Sequence, residues 1–174
     1  MVGTSGSGKT TVGRALAARL DIPFVELDAI FHQPGWTELP REEFRARVRD
    51  VVAADGWVLD GNYSSVLDLV WTRADTVVWF DLPRATVMRQ LVPRTFGRML
   101  SRRELWNGNR ESLRYLFNPA ESILWWAWTQ HEKYAKRYAA AMRDPANAHL
   151  AFIRVRSRAD ARALLAGRHE PDRQ

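Results

Sequence analysis

The chain contains no cysteine, so disulfides and thiolate metal sites are excluded, and a reducing compartment is compatible with it. No apolar run approaches the ~18 residues that a membrane-spanning helix needs. The N-terminus is a polar glycine- and serine-rich loop rather than a secretory leader. These absences lead to the expectation of a cytoplasmic protein with no membrane partner. Internal repeats and low-complexity linkers are also missing, and 174 residues suit a single domain with a proper core. We expect that domain over residues 1–170, with a polar tail at 171–174. Acidic residues are in deficit: the formal charge is +6, and arginine greatly outnumbers lysine. Guanidinium groups suit phosphate-rich ligands, although nucleic acid or biased composition would produce the same excess.

What is present is concentrated at the start. Gly3-Thr4-Ser5-Gly6-Ser7-Gly8-Lys9-Thr10 fits G-x-x-x-x-G-K-[ST] without a substitution. Glycines let successive backbone N–H groups curl round a phosphate, and the helix that follows adds its positive N-terminal end. In this pattern Lys9 reaches the β- and γ-phosphates, the Thr10 hydroxyl ligates Mg²⁺, and Thr11 continues the nucleotide site. ATP and Mg²⁺ are therefore the expected cofactors. The pattern also calls for a strand before the loop, yet only Met1 and Val2 precede Gly3. We read this as a start placed too late rather than as a stub of a strand.

Further along, helix-like and strand-like runs alternate. Helices are expected at 11–20, 41–54, 65–71, from 83 to about 91, at 120–142 and at 157–166. Strands are expected at 24–28, 57–61, 75–81 and 149–155. Such alternation predicts an α/β protein: a three-layer P-loop NTPase fold, with a parallel sheet and helices on both faces. Pro93 is expected to end the helix after the third of these strands. The basic stretch 94–118 then reads as a lid-like insertion.

Ligands bind at the carboxyl ends of parallel strands, and the phosphate loop, Asp28 and Asp60 all fall at such ends. Asp60 is a candidate for holding the Mg²⁺ hydration shell or positioning the acceptor. Asp28 is a candidate general base, or a metal residue. Asp81 is read instead as the cap of the helix beyond it. Transfer of a phosphoryl group spreads negative charge that fixed cations must meet, for which Arg89 and Arg94 are the first candidates. Arg98, Arg102, Arg103 and Arg110 follow in the basic segment. His32, Trp36, Asn62 and Tyr63 are candidates for the acceptor pocket. Trp125, Trp126 and Trp128 are expected to pack in the core on a long amphipathic helix.

These motifs resemble those of the adenylate-kinase-like and shikimate-kinase-like small P-loop kinases. Residues 3–20 followed by Pro23-Phe24-Val25-Glu26-Leu27-Asp28 look like the opening of shikimate kinases, where the second-strand aspartate faces the acceptor hydroxyl. Trp57-Val58-Leu59-Asp60-Gly61 is similar to the aspartate-glycine strand of adenylate kinases. The helix after the third strand brings arginines to the phosphates in those enzymes, and this maps onto Arg89 and Arg94. Over nearly its full length the chain is similar to a group labelled adenylate kinase, or DNA topology modulation protein of the FlaR type. The matching pieces are 27–36, Asp60-Gly61-Asn62-Tyr63 and Leu105-Trp106-Asn107-Gly108-Asn109-Arg110-Glu111. Adenylate kinases carry Asp-Gly-Phe-Pro-Arg where this chain has Asp60-Gly61-Asn62-Tyr63-Ser64, which points away from AMP as acceptor. The resemblance implies an ATP- and Mg²⁺-dependent phosphotransferase acting on a small nucleotide or hydroxylated metabolite. The alternative is an ATP-switched protein associated with nucleic acid, a partner we do not favour because no nucleic-acid motif is found.

Overall fold

A computed structural model describes residues 1–101, 104–110 and 122–168. Five short parallel strands form its centre: β1 (Val2–Gly3), β2 (Phe24–Glu26), β3 (Val58–Asp60), β4 (Thr76–Phe80) and β5 (Ala151–Val155). Pairing gives one group in the order β1-β4-β5 and a second pair, β2-β3. Met1 N donates to Leu59 O at 2.7 Å and Gly61 N to Met1 O at 3.3 Å. These two bonds carry the sheet from β3 to β1, so that the strands run 2-3-1-4-5. Although β1 is only two residues long, it registers Val2 against Trp79 and Gly3 against Phe80.

Alternation along β4 and β5 builds a core on each side of the sheet. Val77, Trp79 and Phe152 turn to one face and pack with Trp71 of α4 (Leu67–Arg73) and Tyr138 of α6 (Ile123–Ala141). Val78, Phe80, Ile153 and Val155 turn to the other, with Val12 of α1 (Lys9–Leu20) and Leu164 of α7 (Arg158–Leu165). This is the expected α/β architecture, a parallel sheet flanked by helices. A third cluster seals the β2-β3 end, where Phe44, Val48 and Val52 of α3 (Arg41–Val52) meet Leu27, Leu59 and Val66. The Ser157 hydroxyl caps α7 by accepting from Asp160 N at 3.1 Å, as expected.

Four sequence expectations change. α1 begins at Lys9 rather than at residue 11, so the motif's lysine and threonine are themselves its first helical residues. Asp28 does not end β2; it lies in the short helix α2 (Leu27–Phe31) that follows. Asp81 is no helix cap either, since Pro83 occupies that position without a side-chain cap, and the Asp81 carboxylate accepts from Arg154 Nε at 2.9 Å.

The fourth change is the largest. α5 runs unbroken over Arg84–Leu100, straight through Pro93. Proline removes one helical hydrogen bond and crowds the preceding turn. Here Val87, Leu91, Thr95 and Met99, spaced by four, are all buried along one face, and their packing holds the helix across the defect. Residues 94–100 of the expected lid are therefore helix. Ser101 caps that helix, residues 104–110 form a turn, and 102–103 and 111–118, with Arg102 and Arg103, lie outside the described residues. Among the described residues, no helix is long and apolar enough to cross a membrane.

Candidate active site

The phosphate loop leaves β1 at the middle of the sheet, where ligands settle in open α/β folds. Gly3 has φ 130°, and a Cβ there would stand 2.5 Å from Phe80 O, so only glycine lets the loop leave against β4. Gly8 turns into α1 with φ 96°. Between them Ser7 N bonds Thr4 O at 3.3 Å, and the buried Lys9 ammonium donates to Thr4 O at 3.0 Å. Burial pushes the Lys9 pKa down, Asp60 and Asp28 push it up, and Arg94 lowers it further.

The loop faces a cavity of about 840 Å³. Ser5, Gly6, Gly8, Lys9 and Thr10 line it, whereas Thr4 and Ser7 are buried in the turn. Thr11 is exposed on α1 and Gly3 is bonded to Asn62; neither lines the cavity. Asp60, at the end of β3, accepts from the Thr10 hydroxyl at 2.6 Å. Its other carboxylate oxygen, Oδ1, is buried without a hydrogen-bond partner. A hydroxyl beside an unsatisfied carboxylate oxygen, facing a phosphate loop, is a donor set that suits hydrated Mg²⁺. Among the described residues no group of three or more His, Cys, Asp or Glu side chains forms a metal cage.

Asp28 also lines the cavity and accepts from the Tyr63 hydroxyl at 2.6 Å. Tyr63 in turn stands 3.4 Å from His32 Nε2. Burial is the main cause of a raised Asp28 pKa and the Tyr63 bond opposes it, while Asp60 raises it and His32 and Lys9 lower it. Burial, then Asp28, drives the Tyr63 phenol far above its ordinary value, so the phenol keeps its proton. His32, Trp36, Asn62 and Tyr63 do line the cavity. Asn62 also braces the phosphate loop, accepting from Gly3 N at 3.0 Å and donating to Gly3 O at 2.7 Å.

The structure separates the two arginines expected to act together. Arg94 lines the cavity and donates to Ser5 Oγ at 3.2 Å. Arg89 is exposed and does not line it, since five helical residues place it about 140° round α5 from Arg94. Arg98, four residues beyond Arg94 and so on the same face, lines the cavity in its stead. Arg110 is absent from the lining; its carbonyl lies 3.4 Å from Trp36 Nε1. The tryptophans of α6 are not core residues either. Trp125, Trp126 and Trp128 are 56%, 37% and 48% exposed, and Trp126 borders the cavity opposite Tyr134.

Sequence reasoning also missed how 104–110 is fastened. Asn109 is buried, accepts from Trp36 N at 2.8 Å and donates to Gln33 O at 2.9 Å. Asn107, with φ 54°, donates to His32 O at 2.6 Å and Ala29 O at 3.1 Å. Trp106 stacks on His32 and donates to Glu26. The Asn-Gly-Asn triplet was visible, but its partners lie more than 70 residues away.

A parallel sheet with a phosphate loop at its switch point, a lysine and a threonine opening the next helix, and a cavity beyond them define the P-loop fold. The shikimate kinase family model matches residues 5–142, and the chain belongs to that family. It is 34% identical to a shikimate kinase of Sulfurihydrogenibium sp. over 108 residues, 52% of this chain and 64% of that one. It is 48% identical to shikimate kinase 2 of Dickeya chrysanthemi over 58 residues, 33% of this chain and 28% of that one. Both matches span less than two thirds of the relative's own length. A shikimate kinase structure from Bacteroides thetaiotaomicron superposes with a TM-score of 0.57 at 16% identity, over 95% of this chain and 92% of that one, which shows the shared fold. ATP and Mg²⁺ are the phosphoryl donor and cofactor of this family.

Proposed function

We propose that the protein transfers the γ-phosphoryl group of Mg·ATP to a hydroxyl of a small metabolite. The observation that carries this reading is the cavity itself, which is lined both by Lys9 with the phosphate loop and by a carboxylate, Asp28, whose pKa is raised by burial. A base in that position takes the hydroxyl proton as the acceptor oxygen bonds to the γ-phosphorus, while the bond to the β–γ bridging oxygen breaks and ADP leaves. The Tyr63 hydroxyl holds one Asp28 oxygen and so aims the other. Lys9, Arg94 and Arg98 meet the charge that spreads over the transferred oxygens. Thr10 and Asp60 would hold Mg²⁺, which would supply charge neutralisation at the phosphates. The trapped 104–110 turn and α6 exclude water, favouring transfer over hydrolysis.

The finer grouping with adenylate kinases would make a nucleoside monophosphate the acceptor. The family membership does not support it, and Asn62 and Tyr63, in place of that motif's Phe-Pro-Arg, provide no guanidinium for a second phosphate. A hydroxylated metabolite fits better. The test is ATP turnover with and without pooled hydroxylated metabolites. Acceptor-dependent ADP release, lost in Lys9→Ala, is the expected result, and turnover indifferent to every acceptor would overturn the proposal.

A further inference from the structure

The buried stripe that carries α5 across Pro93 consists of Val87, Leu91, Thr95 and Met99, and Thr95 is its polar member. Thr95 is 3% exposed, and its hydroxyl has no hydrogen-bond partner. A threonine inside a helix has an acceptor at hand, the carbonyl four residues back. Thr72 donates to Asp68 O at 2.6 Å and Thr129 to Trp125 O at 3.0 Å in that way. Thr95 makes no such bond to Leu91 O. Packing in the stripe asks only for a side chain of this shape, which valine also has. The hydroxyl is therefore a cost to the unliganded fold.

Its position identifies what would satisfy it. Leu91, one turn earlier, packs on Gly6, where an added Cβ would stand 2.8 Å from Leu91 Cβ. Arg94, the preceding residue, donates to Ser5 Oγ at 3.2 Å. α5 thus lies along the phosphate loop at Ser5 and Gly6, and Thr95 lines the same cavity as those two residues, Arg94 and Arg98. Among the described residues, the buried side-chain oxygens without a partner are Ser7 Oγ, Asp60 Oδ1 and Thr95 Oγ1. Ser7 belongs to the loop, and Asp60 and Thr95 line its cavity. Unsatisfied buried groups gathered in one place mark where a bound molecule completes them. A hydroxyl flanked in sequence by two cavity-lining guanidiniums, beside the loop, suits a phosphoryl oxygen, since hydrogen bonds to a charged acceptor are the strong ones.

Resting on the phosphotransferase reading of this cavity, we propose that the Thr95 hydroxyl is a further binding group for the γ-phosphoryl of ATP. It donates to a γ-phosphoryl oxygen beside Arg94, while the α- and β-phosphates stay with the loop amides. Thr95 thereby distinguishes the triphosphate from ADP, because only the last phosphate satisfies it.

The test is calorimetric binding of Mg·ADP, and of Mg²⁺ with the β,γ-imido analogue of ATP, to the full chain as wild type, Thr95→Val and Thr95→Ser. Thr95→Val is expected to weaken the analogue about tenfold, equivalent to about 1.4 kcal/mol, and to leave ADP within about twofold. Thr95→Ser keeps the hydroxyl and is expected to keep the wild-type ratio between the two nucleotides. In denaturant melts without nucleotide, Thr95→Val is expected to be at least as stable as the wild type. A side chain that only packs would give the reverse pattern, with valine binding as the wild type does and serine leaving a gap. Unchanged binding of the analogue by Thr95→Val, equal weakening of both nucleotides, or loss of the ratio in Thr95→Ser overturns the inference. So does a Thr95→Val less stable than the wild type, or a wild type that binds neither nucleotide. Phosphoryl transfer is assayed separately. A Thr95-dependent ratio without transfer to any acceptor would sustain this contact and contradict the kinase.

Discussion

Lys9 and Asp28 carry opposite burdens of the same environment. Burial opposes the charge on both, lowering the pKa of the ammonium and raising that of the carboxylate. Lys9→Ala removes the cation meant for the transferred oxygens, and a loss of about 10²–10³ in kcat, roughly 2.7–4 kcal/mol, is expected from steady-state kinetics. Asp28→Asn is expected to abolish transfer by about 10²–10⁴. Its effect on stability has the reverse sign. A carboxyl whose folded pKa is raised contributes stability that is complete below its ordinary value of 3.8 and is lost as pH rises through the folded value. Chemical denaturation from pH 4 to 7 should therefore show the wild type losing stability relative to Asp28→Asn as pH rises. An unchanged difference across that range would contradict the burial of this charge. The convergence of Lys9, Thr10 and Asp60 on one cavity was legible in the sequence, because a local motif and a strand end place them there. The pairing of Asp28 with Tyr63 was not, because 35 residues separate the two and the parallel pairing of β2 with β3 brings their segments together.

At the scale of elements, the reading failed where a local rule met a tertiary face. Proline is a sound helix stop in isolation, but the buried stripe from Val87 to Met99 outweighs one missing hydrogen bond. That outcome shapes the cavity, because a continuous α5 places Arg94 and Arg98 in its lining and leaves Arg89 outside it. Pro93→Ala should raise stability by about 1–3 kcal/mol in denaturant melts, since the restored amide completes the ladder without touching the cavity. Destabilisation by that change would mean that α5 needs its proline. Asn109 fastens the 104–110 turn to the 33–36 loop through two hydrogen bonds at a buried position. Asn109→Ala leaves Trp36 N and Gln33 O without these partners and should cost about 1–3 kcal/mol locally. Hydrogen exchange is the direct check: amides of residues 33–38 and 104–110 should lose protection together while the sheet keeps its own. The three exposed tryptophans of α6 misled for a related reason. Helical spacing identified an apolar stripe, but Ala127 and Tyr138, not the indoles, are the side chains that α6 buries.

For the molecule as a whole, the alternation of strands and helices fixed the fold class and the placement of the phosphate loop at the sheet's centre. The strand order followed from long-range pairing that no local pattern contains. What the fold achieves is one cavity lined by the phosphate loop, the cations Lys9, Arg94 and Arg98, the carboxylates Asp28 and Asp60, and aromatic rings, an arrangement suited to moving a phosphoryl group. The central claim is that transfer, and phosphorus NMR of the chain with Mg·ATP and pooled hydroxylated acceptors tests it most directly. The account predicts a new phosphomonoester resonance that grows with ADP, and that is absent with Lys9→Ala and with Asp28→Asn. Inorganic phosphate as the sole product, or the same ester formed by Lys9→Ala, would contradict it.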